Sequence, residues 1–166
     1  MSSENPTTPT TTSDSLRILA PTEVHADLRG SITALPHFDT AGTMVIESEA
    51  GAVRGNHYHR NESHLMYVVS GRMIYLEEDA DHRISVAEVG PGQSVISPKG
   101  VPHTTVFPER TVFVTLSDWD RRGRRYEDEV VRVDPLEERP EVAPYLEGIG
   151  ELLTGELHRR RQGRQA

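Results

Sequence analysis

The sequence predicts an all-β protein, and three observations support this fold class. Short segments rich in β-branched and aromatic residues follow one another along the chain: TMVIES, HLMYVVS, RMIYLEE, ISVAEV, QSVIS, HTTVF and TVFVTLS. The breaks between them carry Gly, Pro, Asp or Asn, which are the residues that favour turns. The segments recur at roughly ten-residue spacing, which is typical of an antiparallel sandwich or barrel.

Composition limits the classes of function. The chain has 166 residues, enough for one domain with a hydrophobic core. Its net charge of −8 argues against nucleic acid or an anionic membrane as the main partner. It has no cysteine, so a metal would have to be held by nitrogen and oxygen atoms. The N-terminal segment is polar, and we expect a cytoplasmic protein without a signal peptide or membrane span.

The chain divides into three predicted regions. Residues 1–14 consist largely of Thr, Ser and Pro, and we expect a disordered tail there. Residues 15–135 form the predicted β-barrel, and residues 136–166 form a C-terminal extension that ends in the basic segment HRRRQGRQA. Apolar residues at helical spacing predict a short helix in this extension: Leu146, Ile149, Leu152, Leu153 and Leu157.

The segment GNHYHRNESH contains three of the eight histidines of the chain. Side chains two residues apart on a strand share a face, so His57 and His59 should point to the same side of the sheet. His64 begins the next apolar segment and is expected to meet them from the neighbouring strand. His103 follows the turn-rich segment PKGVP, which returns the chain to the sheet. Converging imidazoles suit a divalent metal ion.

The spacing of these histidines resembles the two sequence motifs of the cupin superfamily. The first motif corresponds to Gly51, His57, His59, His64 and Gly71, and the second to Gly92, Pro98, Gly100 and His103. The resemblance implies a cupin jelly roll, which is a conical β-barrel with a metal pocket. It also implies a homodimer, because cupins often pair their sheets and exchange N-terminal strands.

Two positions depart from the usual cupin pattern. The family generally has Glu at the position of His64 and Asn at the position of Phe107. The first difference resembles the four-histidine variant of the cupin site, with His57, His59, His64 and His103 as the implied metal ligands. Without a carboxylate ligand, the ion would keep its full charge and act as a stronger Lewis acid. Its identity stays open among Zn, Fe, Ni, Mn and Cu.

Two further segments resemble the nucleotide-sugar isomerases and epimerases among the cupins. DLRGSITAL is followed by VRGNHYHR, and in those enzymes a D-x-R-G segment precedes an RG-x-H-x-H strand. The resemblance implies proton transfer next to a carbonyl on a sugar or related natural-product intermediate. Metal-free members use the histidine pair itself to move protons, which a metal-bound histidine cannot do. His64 and His103 favour the metal-dependent mechanism here.

Other side chains are candidates for catalysis and substrate binding. Tyr67 and Tyr75 lie on the strands beside the predicted ligands and could move the proton. Four cations could meet an anionic small-molecule substrate: Arg29, Arg54, Arg72 and Lys99. Of these, Arg29 has the support of the D-x-R-G resemblance for contacting a substrate phosphate.

Three other functions fit the same motifs. Neutral histidines can hold Fe(II) in a non-haem iron dioxygenase. A Lewis-acidic metal also suits a polyketide-type cyclase or dehydratase. The fold by itself does not determine the function, so the third alternative is a non-catalytic cupin that only binds a metal or a ligand.

Overall fold

The computed structural model describes residues 16–149. Within this range the chain forms twelve strands: β1 (Ile18–Leu19), β2 (Glu23–Asp27), β3 (Gly30–Ala34), β4 (Gly42–Ser48), β5 (Val53–His59), β6 (His64–Ser70), β7 (Met73–Glu78), β8 (Ile84–Val89), β9 (Ser94–Ser97), β10 (His103–Val106), β11 (Thr111–Ser117) and β12 (Val130–Arg132). One α-helix, α1 (Tyr126–Glu129), lies between β11 and β12, and two 3-10 helices, Leu136–Glu138 and Pro140–Leu146, follow β12. No helix in the described range is long and apolar enough to cross a membrane. The predicted N-terminal tail and most of the predicted C-terminal helix lie outside the described residues.

The strands form two five-stranded antiparallel sheets and a separate hairpin. The first sheet has the order β1-β9-β6-β11-β4, the second has the order β12-β5-β10-β7-β8, and β2 pairs with β3. Apart from β7 and β8, which are adjacent in the second sheet, the strands from β4 to β12 alternate between the two sheets. This alternation is the topology of a jelly roll, and it confirms the predicted all-β fold.

The space between the two sheets contains one hydrophobic core. Met66 and Val68 enter it from β6, and Met73 and Tyr75 enter it from β7. The rings of Phe107 and Phe113 stack there with centroids 5.6 Å apart. Burying each such side chain stabilises the fold by about 1.5–3 kcal/mol, so this core holds the sheets together.

A second core covers the outer face of the second sheet. Ile74 and Leu76 point outward from β7 and pack against Leu136, Val142 and Leu146 of the C-terminal extension. Strand β7 is therefore buried on both faces. This explains why its sequence, MIYLEE, begins with a continuous apolar run instead of an alternating pattern.

The extension is attached to β5 through Asn56, which lies in the left-handed region with φ 54°. Its Nδ2 donates to Glu137 Oε2 at 2.8 Å, and its Oδ1 accepts from the backbone N–H of Leu136 at 2.9 Å. The preceding Gly55 has φ 105°, and the register between β5 and β10 shifts between His103 and Thr104. The left-handed residues and the register shift therefore lie in the backbone immediately before His57 and His59.

Candidate active site

A cavity of about 650 Å³ opens between the two sheets. Apolar side chains form one part of its wall: Met44, Ile46, Val53, Met66 and Phe113. The polar part contains the four predicted histidines together with Arg54, Arg121, Tyr126 and Arg132. No acidic residue is among the described residues that line the cavity, so its wall is neutral or cationic.

The two sheets bring the four histidines to one end of this cavity. His57 and His59 point to the same side of β5, as strand alternation predicts. His103 begins β10 and is the direct partner of His57 in the same sheet. His64 begins β6, which belongs to the facing sheet. The prediction that His64 approaches from the neighbouring strand was therefore wrong, because the chain crosses to the other sheet after β5.

The histidine rings are buried and in mutual contact. Ring centroids are 4.8 Å apart for His57 and His59, 5.0 Å for His57 and His103, and 4.5 Å for His59 and His64. The Nε2 atoms of His57 and His59 are 3.1 Å apart. None of the four side chains is more than about a tenth exposed, so they form one desolvated cluster.

Burial keeps three of these imidazoles neutral. Burial is the largest of the causes that lower the pKa of His57 to about 4 and the pKa values of His59 and His103 to about 3, and charge interactions with neighbouring groups contribute to the same shifts. A neutral imidazole keeps one nitrogen lone pair. In His103, Nδ1 lies 3.1 Å from the carbonyl oxygen of Val101, so Nδ1 carries the proton and Nε2 carries the lone pair.

The donor set of His57, His59 and His103 fits a divalent metal ion. Each residue offers a nitrogen, and these nitrogens lie within 4.8 Å of one another. Two nitrogens bound to one ion at about 2.1 Å are about 3.0–3.4 Å apart in octahedral or tetrahedral geometry. The observed separation of 3.1 Å between Nε2 of His57 and Nε2 of His59 lies in that range.

His64 is paired with the carboxylate of Glu62, whose Oε2 also lies 3.4 Å from Nδ1 of His59. His59, Glu62 and His64 form a second group of possible metal donors, which overlaps with the first at His59. Nε2 of His64 is 2.9 Å from Oε1 of Glu62. Because a carboxylate accepts, this nitrogen carries a proton and leaves the lone pair of His64 on Nδ1. His57, His59 and His103 thus offer their nitrogens as one group, whereas His64 is paired with Glu62.

Glu62 is the centre of a buried hydrogen-bond network. Its side chain is fully buried, and Nε and Nη2 of Arg121 donate to its carboxylate at 2.8–3.0 Å. The hydroxyl of Ser117 donates to Oε1 in a short hydrogen bond. Burial by itself would raise the pKa of Glu62, but the hydrogen bonds from His64, Arg121 and Ser117 outweigh it and lower the pKa to about 2. Glu62 is therefore ionised at neutral pH.

Tyr126 on α1 contributes a hydroxyl to the cavity. The hydroxyl oxygen lies 3.5 Å from Nε2 of His57, and the guanidinium of Arg121 lies 5.1 Å from the ring centroid. Partial burial raises the pKa of Tyr126, so its hydroxyl is protonated at neutral pH.

The buried carboxylate of Glu129 anchors α1 beside the histidine cluster. It accepts from the backbone N–H and the side-chain Nδ2 of Asn61, at 2.5 Å and 2.9 Å, and from the backbone N–H of Glu62 at 3.0 Å. These three contacts tie the end of α1 to the loop between β5 and β6. They thereby fix Tyr126 relative to Glu62.

The two tyrosines predicted to act in catalysis do not line the cavity. Tyr75 is fully buried in the core between the sheets, and its hydroxyl donates to Oε2 of Glu77 at 3.1 Å. Tyr67 lies on β6 with a parity opposite to that of His64 and Met66. Tyr126, which the sequence did not indicate, is the tyrosine that lines it.

The four predicted substrate-binding cations lie in different places. Arg54 lines the cavity, where its Nε donates to Oγ of Ser48 and its Nη2 donates to the carbonyl of Glu47. The other three do not line it: Arg72 pairs with Glu88 and Glu109, Lys99 is exposed in the loop before β10, and Arg29 pairs with Asp27 at the turn of the β2–β3 hairpin.

The jelly-roll fold and the meeting of the four histidines agree with the predicted resemblance to the cupins. Residues 44–117 match the family described as Cupin domain, in agreement with the motif spacing. No protein in a search of curated sequences matches the chain.

Several solved structures share this fold. NovW, a 4-keto-6-deoxy sugar epimerase from the novobiocin biosynthetic gene cluster of Streptomyces spheroides, is 20% identical with a TM-score of 0.62, over 78% of this chain and 73% of that chain. The dTDP-4-dehydrorhamnose 3,5-epimerase from Sulfolobus tokodaii is 18% identical with a TM-score of 0.59, over 70% and 76%. The 3,4-ketoisomerase QdtA from Thermoanaerobacterium thermosaccharolyticum, in complex with TDP, is 17% identical with a TM-score of 0.59, over 70% and 87%.

Proposed function

We propose that the protein is an isomerase or epimerase that moves a proton at a carbon next to the carbonyl of a sugar or related natural-product intermediate. One observation carries this proposal: a histidine with a buried carboxylate partner and a protonated tyrosine line the same cavity as a cluster of neutral histidines. Acid and base groups around a desolvated pocket suit proton transfer. The sugar epimerases and the ketoisomerase of similar fold support the same class of reaction.

We also propose that His57, His59 and His103 hold a divalent ion, which is Zn, Fe, Ni, Mn or Cu. Their neutral state and the 3.1 Å spacing between two of their nitrogens support this assignment. When bound, the ion supplies a Lewis acid for a substrate oxygen. These three residues then serve as ligands, and proton transfer belongs to other side chains.

His64 is the proposed general base. Its Nε2–H donates to Glu62, so the lone pair on Nδ1 accepts the proton as the substrate C–H bond breaks. The ionised Glu62 stabilises the imidazolium that this transfer produces. In this mechanism the histidine at the position where the family usually has Glu acts as a base instead of a fourth ligand.

Tyr126 is the proposed general acid. Its protonated hydroxyl can donate to the substrate oxygen on which negative charge develops, or return a proton to the substrate carbon. Its place beside His57 puts this donor next to the histidine cluster. The contact with the Arg121 guanidinium holds the ring in that position.

Arg54 is the proposed contact for an anionic group of the substrate. Its guanidinium donates to the hydroxyl of Ser48 and to the backbone carbonyl of Glu47, and neither of these acceptors carries a charge. We also propose a homodimer, and exposed apolar side chains on the β2–β3 hairpin support it: Val24, Leu28 and Ile32.

Hydrogen exchange tests the proposed reaction directly. The metal-loaded protein is incubated in deuterated water with a panel of nucleotide-diphospho-keto-sugars, and deuterium at each carbon is measured by NMR. We expect deuterium at a carbon next to the carbonyl, and loss of this exchange after chelation and dialysis. An absence of exchange across the panel would refute the proposed reaction, and exchange that survives metal removal would refute its metal dependence.

The cluster of neutral histidines also suits a second candidate, a non-haem iron dioxygenase. Three neutral ligands at one end of an open cavity leave coordination positions for oxygen and substrate. Oxygen consumption that requires Fe(II) and stops when zinc or nickel replaces it would favour this function. Isomerisation with any of these metals, without oxygen consumption, would favour the first.

A further inference from the structure

Arg121 occupies the place of a cation in the second group of possible metal donors. His59, Glu62 and His64 offer donor atoms within 4.8 Å of one another. The guanidinium of Arg121 makes three hydrogen bonds to the carboxylate of Glu62, and its Nη2 lies 3.4 Å from Nε2 of His64. A protein cation thus neutralises the carboxylate nearest to the histidine cluster.

We propose that Arg121 is a positioning residue that determines which side chains the metal ion uses. By binding the carboxylate of Glu62, it confines the ion to His57, His59 and His103. His64 then remains available as the general base, with Glu62 as its carboxylate partner. This inference rests on the proposed metal site. It assigns to one arginine the separation of the metal ligands from the proton-transfer residues.

The charge of the guanidinium explains how this separation works. A carboxylate is an anionic ligand for the proposed metals, and His59 belongs to both donor groups, so an ion bound to His59 has Glu62 within reach. The Arg121 guanidinium is permanently charged, and it bonds both carboxylate oxygens, since Nε donates to Oε1 and Nη2 donates to Oε2. A metal ion that approached Glu62 would have to displace the guanidinium from the carboxylate, and the positive charge of the guanidinium would repel it.

The position of Arg121 is fixed by the protein on several sides. The carboxylate it binds is fully buried and also accepts from Ser117. The guanidinium lies against the ring of Tyr126, and its Nη1 lies 3.8 Å from the sulfur of Met44. About a third of the Arg121 side chain is exposed, so the charge is held at the cavity wall without being fully desolvated.

Cobalt substitution tests the proposal without measuring catalysis. Co(II) is added to the metal-free protein, and its visible absorption bands and affinity are measured, the latter by competition with a chelator. We expect Arg121→Leu to change the band positions and to raise the affinity by about tenfold or more, because a freed carboxylate joins the ligands. We expect Glu62→Gln alone to leave the bands of the wild type unchanged. The double variant Arg121→Leu/Glu62→Gln should restore those bands.

Arg122→Leu is the matched control. Arg122 lies in the same loop, is exposed and pairs with Asp120, and does not contact Glu62. This variant should match the wild type in spectrum and affinity. If Arg121→Leu does not fold, Arg121→Lys carries the test: it keeps the charge but loses the two-pronged contact, and the same changes should appear at smaller size.

Three results would overturn the proposal. A changed Co(II) spectrum in Glu62→Gln alone would show that Glu62 is already a ligand in the wild type. Unchanged spectrum and affinity in both Arg121 variants, with Co(II) bound by the wild type, would remove the role of Arg121 and leave the proposed metal site intact. No binding of Co(II) by the wild type or by Arg122→Leu would remove the metal site and this inference together.

Discussion

At the scale of single residues, His59 is the member that the two donor groups share. We expect His59→Ala to lower the metal content from about one ion per chain to less than about a tenth, since only two of the three ligands would remain. Elemental analysis of the purified protein measures this. His37→Ala is the control, because His37 is exposed and lies beside Asp39 away from the cavity. Full metal content in His59→Ala would mean that the ligands are other residues.

Tyr126→Phe separates acid catalysis from metal binding. The ring and its contact with Arg121 are kept, while the hydroxyl near His57 is lost. We expect the rate of deuterium exchange to fall by about a hundredfold or more, with the metal content unchanged. A rate within about threefold of the wild type would exclude Tyr126 as the general acid.

The residues of the site differ in how far the sequence could predict them. His57 and His59 follow from strand alternation, and their burial in one cavity agrees with it. Glu62 lies in the loop segment RNES, which has the composition of an exposed turn, and its contact with Arg121 spans 59 residues of sequence. Tyr126 follows a run of charged residues and meets His57 across 69 residues. Such long-range partners depend on the chain path, which local spacing does not contain.

At the scale of the elements, Gly55 in β5 allows the close approach of β10. A Cβ atom at this position would lie 2.8 Å from the carbonyl oxygen of His103 and 2.9 Å from Cα of Thr104, and the residue has φ +105°. We expect Gly55→Ala to lower the free energy of unfolding by about 3 kcal/mol or more, because backbone strain and steric overlap add. Metal affinity should fall as well, since β10 begins with His103. Urea denaturation and chelator competition measure the two effects.

Gly92→Ala is the control for backbone strain alone. Gly92 has φ +83°, and a Cβ atom there would meet no atom within 4 Å. We expect a loss of about 1–2 kcal/mol from the left-handed conformation and no change in metal affinity. Equal losses in the two variants would contradict the importance of the contact between β5 and β10.

Most of the strands could be predicted because their side chains face a core on one side or both. Each of the seven apolar segments corresponds to a strand between β4 and β11. The hairpin β2–β3 is exposed along almost all of its length and therefore lacks the alternation that marks a half-buried strand. Helix α1 consists of the four residues YEDE, whose only buried member is Glu129. Its position depends on hydrogen bonds to Asn61 and Glu62, which composition does not show.

At the scale of the whole molecule, the buried histidines make the stability of the metal-free protein depend on pH. His57, His59 and His103 have pKa values of about 3–4 in the folded state, below the ordinary value of 6.5. As pH falls below about 6.5, the unfolded chain binds protons that the folded chain does not, so the free energy of unfolding decreases. Below about 4.5, protonation of Glu62 in the unfolded chain adds a further loss, which continues down to its folded pKa of about 2.

Urea denaturation with a chelator present, between about pH 7.5 and 5, measures this dependence. Up to three protons are involved, so the slope should reach at most about 4 kcal/mol per pH unit. His57→Gln removes one of the three groups and should reduce the slope by about one proton. A constant stability over this interval would contradict the neutral, buried state of the cluster.

The cavity wall is divided between two parts of the chain. The histidines lie within residues 44–117, which match the cupin domain, whereas Arg121, Tyr126 and Arg132 follow that segment. The carboxylate of Glu129 attaches this later segment to the domain at one loop. Proteins that inherit the same imidazole scaffold can therefore diverge in substrate and reaction by exchanging the following fifteen or so residues. Exchanging residues 118–133 would therefore alter Arg121, Tyr126 and Arg132 at the cavity wall, while the imidazoles stay in place.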